Sequence, residues 1–199
     1  MSSNSKKLCV MFAGTMGHGK DTAADMLADV CWLRGATTLR MAFADPIKEI
    51  AVHLLGIPKT VSYGPQEDKL AFEVYGASAR HWLQWIGTEM GRNQIHKNIW
   101  VDRFTQRAIN SDAQIVIGSD LRFRNEMDRV GKLLLDERRV VLVKIVNPRV
   151  PVNLEHQSES EIYHIPETDF DHVIHNVGNL KDLLVSVEGL CDEVLGITP

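Results

Sequence analysis

Two periodicities alternate along this chain, and their order predicts the fold. Leu8–Ala13 is a continuous apolar run ending at Gly14, the pattern of a strand buried on both faces. From Lys20 to about Leu33, Ala23, Ala24, Met26, Leu27, Val30 and Cys31 recur at helical spacing. A second strand is expected over Leu39–Phe43. Asp45-Pro46 reads as an N-cap followed by proline at the first helical position, opening a helix that runs through Leu54 and stops near Gly56 and Pro58. Lys59–Lys69 is polar and reads as a surface loop. Ser78 is placed to cap a helix over Ala79–Met90, and a further helix covers Ile99–Ile109. Gln114–Gly118 is an apolar strand that delivers Ser119 and Asp120 at its carboxyl end. A helix over Glu126–Leu135 and a strand over Val140–Val146 follow. From Asn147 to Asp169 the pattern fades into prolines and polar residues, as in a loop or flap. A short strand over His172–His175 and an amphipathic helix over Asn179–Val194 close the chain. This alternation predicts one α/β domain over residues 1–199, with a three-layer arrangement in which helices flank a parallel sheet.

The first strand-to-helix connection carries the sharpest chemical signal. Gly14-Thr15-Met16-Gly17-His18-Gly19-Lys20-Asp21-Thr22 has the spacing G-x4-G-K of a phosphate-binding P-loop. Backbone N–H groups must converge on phosphate oxygens there, and side chains would block the approach, hence the glycines. The helix starting near Lys20 adds the positive end of its dipole, and Lys20 is suited to bridge the outer phosphates. Gly14, Thr15, Gly17, His18, Gly19, Lys20, Asp21 and Thr22 are therefore the candidate ATP-binding residues. The position after the lysine usually holds Ser or Thr as a Mg²⁺ ligand; here it is Asp21. A carboxylate also suits Mg²⁺, directly or through water, or Asp21 simply caps the helix. Thr22 is left to reach the donor's α-phosphate.

Composition removes several classes. The 199 residues are 44% hydrophobic and 24% charged, a globular balance. Net charge is −4, whereas a dedicated duplex-binding protein is normally basic, so no nucleic-acid polymer is expected as partner. No apolar run approaches the length of a membrane span, and the start MSSNSKK does not read as a secretory leader. Cys9, Cys31 and Cys191 form no C-x-x-C pair and read as reduced thiols of a cytoplasmic protein. His172 and His175 point to opposite faces of a strand and cannot share one ion.

Several further segments, in order, resemble the bacteriophage deoxynucleoside monophosphate kinases. They are Gly-Lys-Asp-Thr-x-Ala-Asp (Gly19 to Asp25), Asp-Pro-Ile-Lys (Asp45 to Lys48), Gln-x-x-Gly-Thr-Glu (Gln84 to Glu89), Trp100, and Asp-x-Arg-x-x-x-Glu-Met-Asp (Asp120 to Asp128). His156-x-Ser158-Glu159 and Asn176-x-Gly178 match as well. The resemblance runs over about residues 8–190, although the chain is short for the family between Lys48 and Ser78. It implies a P-loop kinase fold with a helical acceptor-binding region (about 45–110) and a lid (about 147–169). It implies phosphoryl transfer from ATP to a dNMP with Mg²⁺, and a homodimer. It places Ile47, Lys48 and Trp100 near the acceptor and Arg122 among the catalytic residues. If the chain is phage-encoded, the host cytoplasm is its place of action.

The residues themselves fit that chemistry. A phosphate monoester has a second pKa near 6 and is already largely ionised at neutral pH, so no general base is needed; cations around two phosphate sites are. Lys20, Arg122 and Arg124 are the catalytic candidates, the two arginines lying just past the strand that ends at Asp120, on the rim where open sheets bind ligands. Surface salt bridging with Glu126 or Asp128 is the other reading of both arginines. Arg80, Gln84 and Thr88, at i, i+4 and i+8, share one helical face suited to an acceptor phosphate and base. Lys48, Asp120, Arg122 and Glu126 complete the acceptor side. Asp120 has three readings: a Mg²⁺ ligand through water together with Asp21, an anchor for the acceptor sugar, or a helix N-cap. Asn176 and Gly178 are placed to cradle the adenine. Another small-molecule P-loop kinase (ribonucleotide, dephospho-CoA or phosphomevalonate type) and a nucleotide-binding regulator remain alternatives.

Overall fold

The computed structural model describes residues 7–152, 154 and 157–195. His156 lies outside the described residues. The chain divides into two compact units, Met1–Ala42 with Thr105–Pro199, and Phe43–Phe104.

The first unit is built on a parallel five-stranded sheet, in which β1 (Lys7–Ala13) is central. The other strands are β2 (Thr38–Met41), β5 (Ile115–Leu121), β6 (Arg138–Val146) and β7 (His172–His175), in the order β2-β5-β1-β6-β7. Every side chain from Cys9 to Ala13 is buried, as a strand with covered faces requires. On one face Val10 and Phe12 meet Ala23, Ala24, Leu27 and Cys31 of α1 (Lys20–Leu33). Leu183, Val187 and Leu190 of α9 (Leu180–Leu195) pack there too. The alternate residues Cys9 and Met11 point the other way. Met127, Val130 and Leu134 of α7 (Arg124–Leu134) are buried, and α7 packs against β6. The fold is thus α/β, a parallel sheet flanked by helices. Burial pushes the Cys9 thiol up to about 12, and all three cysteines are buried and free. No helix among the described residues is long and apolar enough to cross a membrane.

Arg138 is the largest fully buried side chain. It donates to the carbonyls of Ala108 (2.9 Å), Ser111 (2.8 Å), Ala113 (3.0 Å) and Leu8 (3.2 Å). One guanidinium thus ties the end of α6 (Ile99–Ile109), the turn after it and β1 together.

The second unit holds α2 (Asp45–Leu55), α3 (Lys59–Ser62), α4 (Gln66–Ala71), a hairpin of β3 (Glu73–Val74) and β4 (Ala77–Ser78), α5 (Ala79–Trp85) and a π-helix (Ile86–Ile95). Tyr75 and Gly76 turn the hairpin with positive φ at both positions, the two-residue geometry that suits strand twist. Ser78 caps α5 as expected, its Oγ accepting from the His81 N–H at 3.2 Å.

Five elements depart from expectation. Asp45 is already helical, with Ala44 at the cap. The 59–69 stretch is two short helices, too brief to show a period. The helix expected to Met90 gives way at Ile86 to a π-helix. There the buried Trp100 indole donates to the Gly87 carbonyl at 2.8 Å and lies against Gly91; a side chain engaging the ladder is a known cause of helix irregularity. β5 runs on to Leu121, so Ser119 and Asp120 belong to the strand; a register shift at Met11/Ala13 lets the pairing continue. The 147–169 stretch contains α8 (Gln157–His164) and a 3₁₀ turn (Glu167–Asp169). The buried face of α8 includes Ser158 and Glu159 beside Ile162, so no apolar stripe marks it.

Candidate active site

The phosphate loop joins the central strand to α1, at the carboxyl edge where parallel sheets place ligands. Gly14 adopts φ +149°, and a Cβ there would meet the Ile145 carbonyl oxygen at 2.6 Å. Gly19, at φ +95°, sits under the Asn176 amide, which would meet an added Cβ at 2.6 Å. Glycine is required at both. α1 starts on Gly19 with no side chain capping it, so the amides of its first turn point to a site for an anion.

His18 shapes the loop. Its ring is buried and accepts from the Asn147 N–H at Nδ1 (3.2 Å). The proton therefore lies on Nε2, which donates to Thr15 Oγ1 at 2.8 Å. Burial lowers the His18 pKa below its ordinary 6.5, and Lys20 and Lys144 add to the effect against the Ile145 and Val150 carbonyls. The His18 carbonyl accepts from Asn176 Nδ2 at 3.0 Å.

Lys20 is buried at the base of the loop. Burial lowers its pKa from 10.5, Arg122 lowers it further, and Asp21 and Asp120 oppose the shift. Asp21 accepts from Ser119 Oγ at 2.6 Å. Arg40 Nη2 approaches the same hydroxyl at 3.3 Å, while its Nε donates to Asp25 at 2.8 Å. Ser119 and Arg40 were not singled out by the sequence: their partners lie 98 and 79 residues away. Asp21 is held by a strand hydroxyl and remains largely exposed, with Asp120 half-buried on the same strand end. Two hard carboxylate donors beside a phosphate loop suit Mg²⁺, which keeps several waters and shares its shell with phosphates. Among the described residues no group of three or more His, Cys, Asp or Glu could hold a metal by itself.

The turn after β5 sorts the remaining candidates. Glu126 is 1% exposed, and its Oε2 accepts from the N–H groups of Arg122 (2.9 Å) and Phe123 (3.1 Å). This corrects the acceptor-lining reading: the carboxylate holds the turn that carries Arg122 and caps α7. Arg122 pairs with Glu159 of α8, whose other oxygen accepts from the Met16 N–H at 2.7 Å. Arg124, like Arg122, is ion-paired. Its guanidinium pairs with Asp169 and Asp128 and its backbone N–H donates to Glu161 (2.8 Å), so it anchors α8 and the turn after it.

On the other flank of the loop, Asn176, Gly178, Asp182 and Leu183 line a cleft of about 290 Å³. The Asp182 carboxylate lies where a Cβ on Gly178 would stand and accepts from the Asn179 N–H at 2.9 Å. Asn176 links this cleft to the phosphate loop through His18.

In the second unit, Lys48 stands over the Tyr63 ring at 4.7 Å. Lys69 donates to the Gly64 carbonyl at 2.6 Å, and burial, then Lys48 and Arg80, lower its pKa. Three cations from α2, α4 and α5 thus gather, of which the sequence gave no reason to choose Lys69. Ile47 packs over Gly87. Gln84 is exposed on α5. Thr88 is exposed in the first turn of the π-helix, as Gln84 is on α5. Trp100 is a correction. Its indole is 4% exposed with its N–H spent on Gly87, so it packs the unit's interior.

No family model matches the chain. A curated protein of Escherichia phage T5, deoxynucleoside-5′-monophosphate kinase, is 24% identical over an alignment of 243 positions, covering 90% of this chain and 94% of that protein. Among solved structures, the Mycobacterium tuberculosis APS kinase CysC in complex with AMPPNP and APS superimposes with a TM-score of 0.58 at 12% identity, covering 94% and 99% of the two chains. The hexameric APS kinase from Thiobacillus denitrificans gives 0.56 at 16% identity, covering 98% of this chain and 30% of that one. The chain therefore has the P-loop kinase fold and, along most of its length, is similar in sequence to a phage deoxynucleoside monophosphate kinase.

Proposed function

We propose that the protein transfers the γ-phosphoryl group of ATP to a deoxynucleoside monophosphate, giving dNDP and ADP. The observation that carries the reading is the pairing of an uncapped phosphate loop, with Lys20 buried in it, and Arg122 acting on that same lysine. The likeness to the phage T5 kinase favours a dNMP over other acceptors.

In this reading the loop amides and Lys20 hold the donor's outer phosphates, and the cleft beside Asn176 takes the adenosine. Asp21 and Asp120 would hold Mg²⁺, which supplies charge neutralisation on the phosphates when bound. Arg122 stabilises charge on the moving phosphoryl group with a guanidinium that stays protonated. Lys48, Lys69 and Arg80 receive the acceptor phosphate, with Ile47 and Gln84 toward its nucleoside. The acceptor oxygen is already anionic, so no side chain need remove a proton. The described residues between Asn147 and Asp169, α8 among them, act as the lid that excludes water from the transfer.

The test is an acceptor panel in a coupled ADP-release assay, with each dNMP, the ribonucleotides, dephospho-CoA and mevalonate phosphate. Turnover that depends on a dNMP is expected. Turnover only with a different acceptor moves the assignment to that kinase, and acceptor-independent hydrolysis alone moves it to a regulatory NTPase.

A further inference from the structure

A carboxylate sits at the phosphate loop. Glu159 reaches it from α8 across 143 residues of sequence. One carboxylate oxygen accepts from the Met16 N–H at 2.7 Å, and the other pairs with the Arg122 guanidinium. Glu159 is 8% exposed. A loop amide and an arginine beside Lys20 are the donors a phosphate oxygen would use. Neighbouring contacts hold the carboxylate in place: Glu161 accepts from the Arg124 N–H, and Asp169 pairs with the Arg124 side chain. Arg122 in the β5–α7 turn and Arg124 at the start of α7 are thus both engaged by acidic residues of the 157–169 segment.

We propose that Glu159 is a resident anion of the phosphate loop and a positioning residue for Arg122. It keeps the Arg122 guanidinium and the Met16 amide turned toward the site by accepting from both. An incoming polyphosphate tail brings charge of the same sign to the same donors. It displaces the carboxylate and inherits Arg122 already in place. Donor binding is therefore an exchange of one anion for another, weaker than the bare loop would allow, and it releases the 157–169 segment from its anchor on Arg122. The proposal rests on the reading of the loop as a triphosphate site.

The experiment is calorimetric titration of the full-length protein, without acceptor, with ATP and with inorganic tripolyphosphate at fixed ionic strength. Glu159→Gln keeps the shape and removes the competing charge, so its Kd for both probes should fall about tenfold. Glu159→Asp keeps the charge but shortens the arm and no longer spans both donors; a smaller fall is expected. In an Arg122→Ala background the effect of Glu159→Gln should shrink, because one of the contested donors is gone. Damage to the fold alone would weaken binding, so a gain in affinity is the discriminating sign. Unchanged or weaker binding in both variants overturns the proposal. A wild-type protein that binds neither probe defeats the triphosphate reading and the proposal with it, whereas wild-type binding without tightening in the variants defeats the proposal alone.

Discussion

His18 serves the phosphate loop only while its ring is neutral, because Nδ1 must accept the Asn147 N–H. Its pKa in the folded protein is lowered from 6.5, chiefly by burial. Below that ordinary value the unfolded chain takes up a proton that the folded chain refuses, so stability is fully present above about pH 6.5 and is lost as pH falls through the lowered folded value. The melting temperature should drop between pH 7.5 and 5.5, and the drop should be smaller in His18→Asn, whose amide oxygen accepts the same N–H without titrating. An equal drop in both proteins would remove His18 from the account. At this scale much was legible in the sequence. The loop glycines and Lys20 stand between β1 and α1 where their spacing placed them, and Arg122 lies just past β5 as expected. Glu159 on the loop and Ser119 on Asp21 were not legible, because contacts 143 and 98 residues apart leave no local pattern. Glu126 was read as facing a ligand because a carboxylate three residues into a helix looks the same whether it caps backbone or faces outward.

Among the elements, the π-helix carries the clearest liability. A Cβ on Gly91 would overlap the Trp100 indole, whose N–H is bonded to Gly87. Gly91→Ala should therefore destabilise the protein by about 1–3 kcal/mol, the usual cost of overpacking. Urea unfolding measures it; Gly131→Ala, where an added Cβ meets nothing within 4 Å, is the control that should cost far less. Strands β1, β5 and β6 and helices α1, α6, α7 and α9 were readable because each buries several apolar side chains in a repeating pattern, whereas α2 buries only Ala51 and was marked by its Asp45-Pro46 start and Gly56 end. The elements that escaped are those whose hidden side is short or polar: α3 and α4 at four and six residues, and α8 with Ser158 and Glu159 inward. The Trp100 indole that bonds Gly87 of the π-helix belongs to α6, so spacing within 79–90 carries no sign of the change in winding.

At the scale of the whole molecule, Arg138 sets the integrity of the sheet unit. Its guanidinium satisfies carbonyls from the α6 end, the 111–113 turn and β1. Arg138→Met fills similar volume but leaves several buried acceptors unpaired, so a loss on the order of 3–5 kcal/mol is expected in chemical unfolding; a loss under about 1 kcal/mol would assign the packing elsewhere. The α/β class and the parallel sheet followed from the alternation of periods. The Phe43–Phe104 unit lies close to the helical region that the resemblance put at about 45–110, although no linker-like composition marks either point and one boundary falls within α6.

Phosphoryl transfer itself is tested most directly by following label from γ-³²P-ATP in the presence of each dNMP and Mg²⁺. Label should appear in a dNDP with wild-type protein, and the rate should fall about 10²–10³-fold in Lys20→Met, the scale for losing one charge-stabilising group at a reaction centre. Label released only as inorganic phosphate, or transfer undiminished without Lys20, would contradict the account.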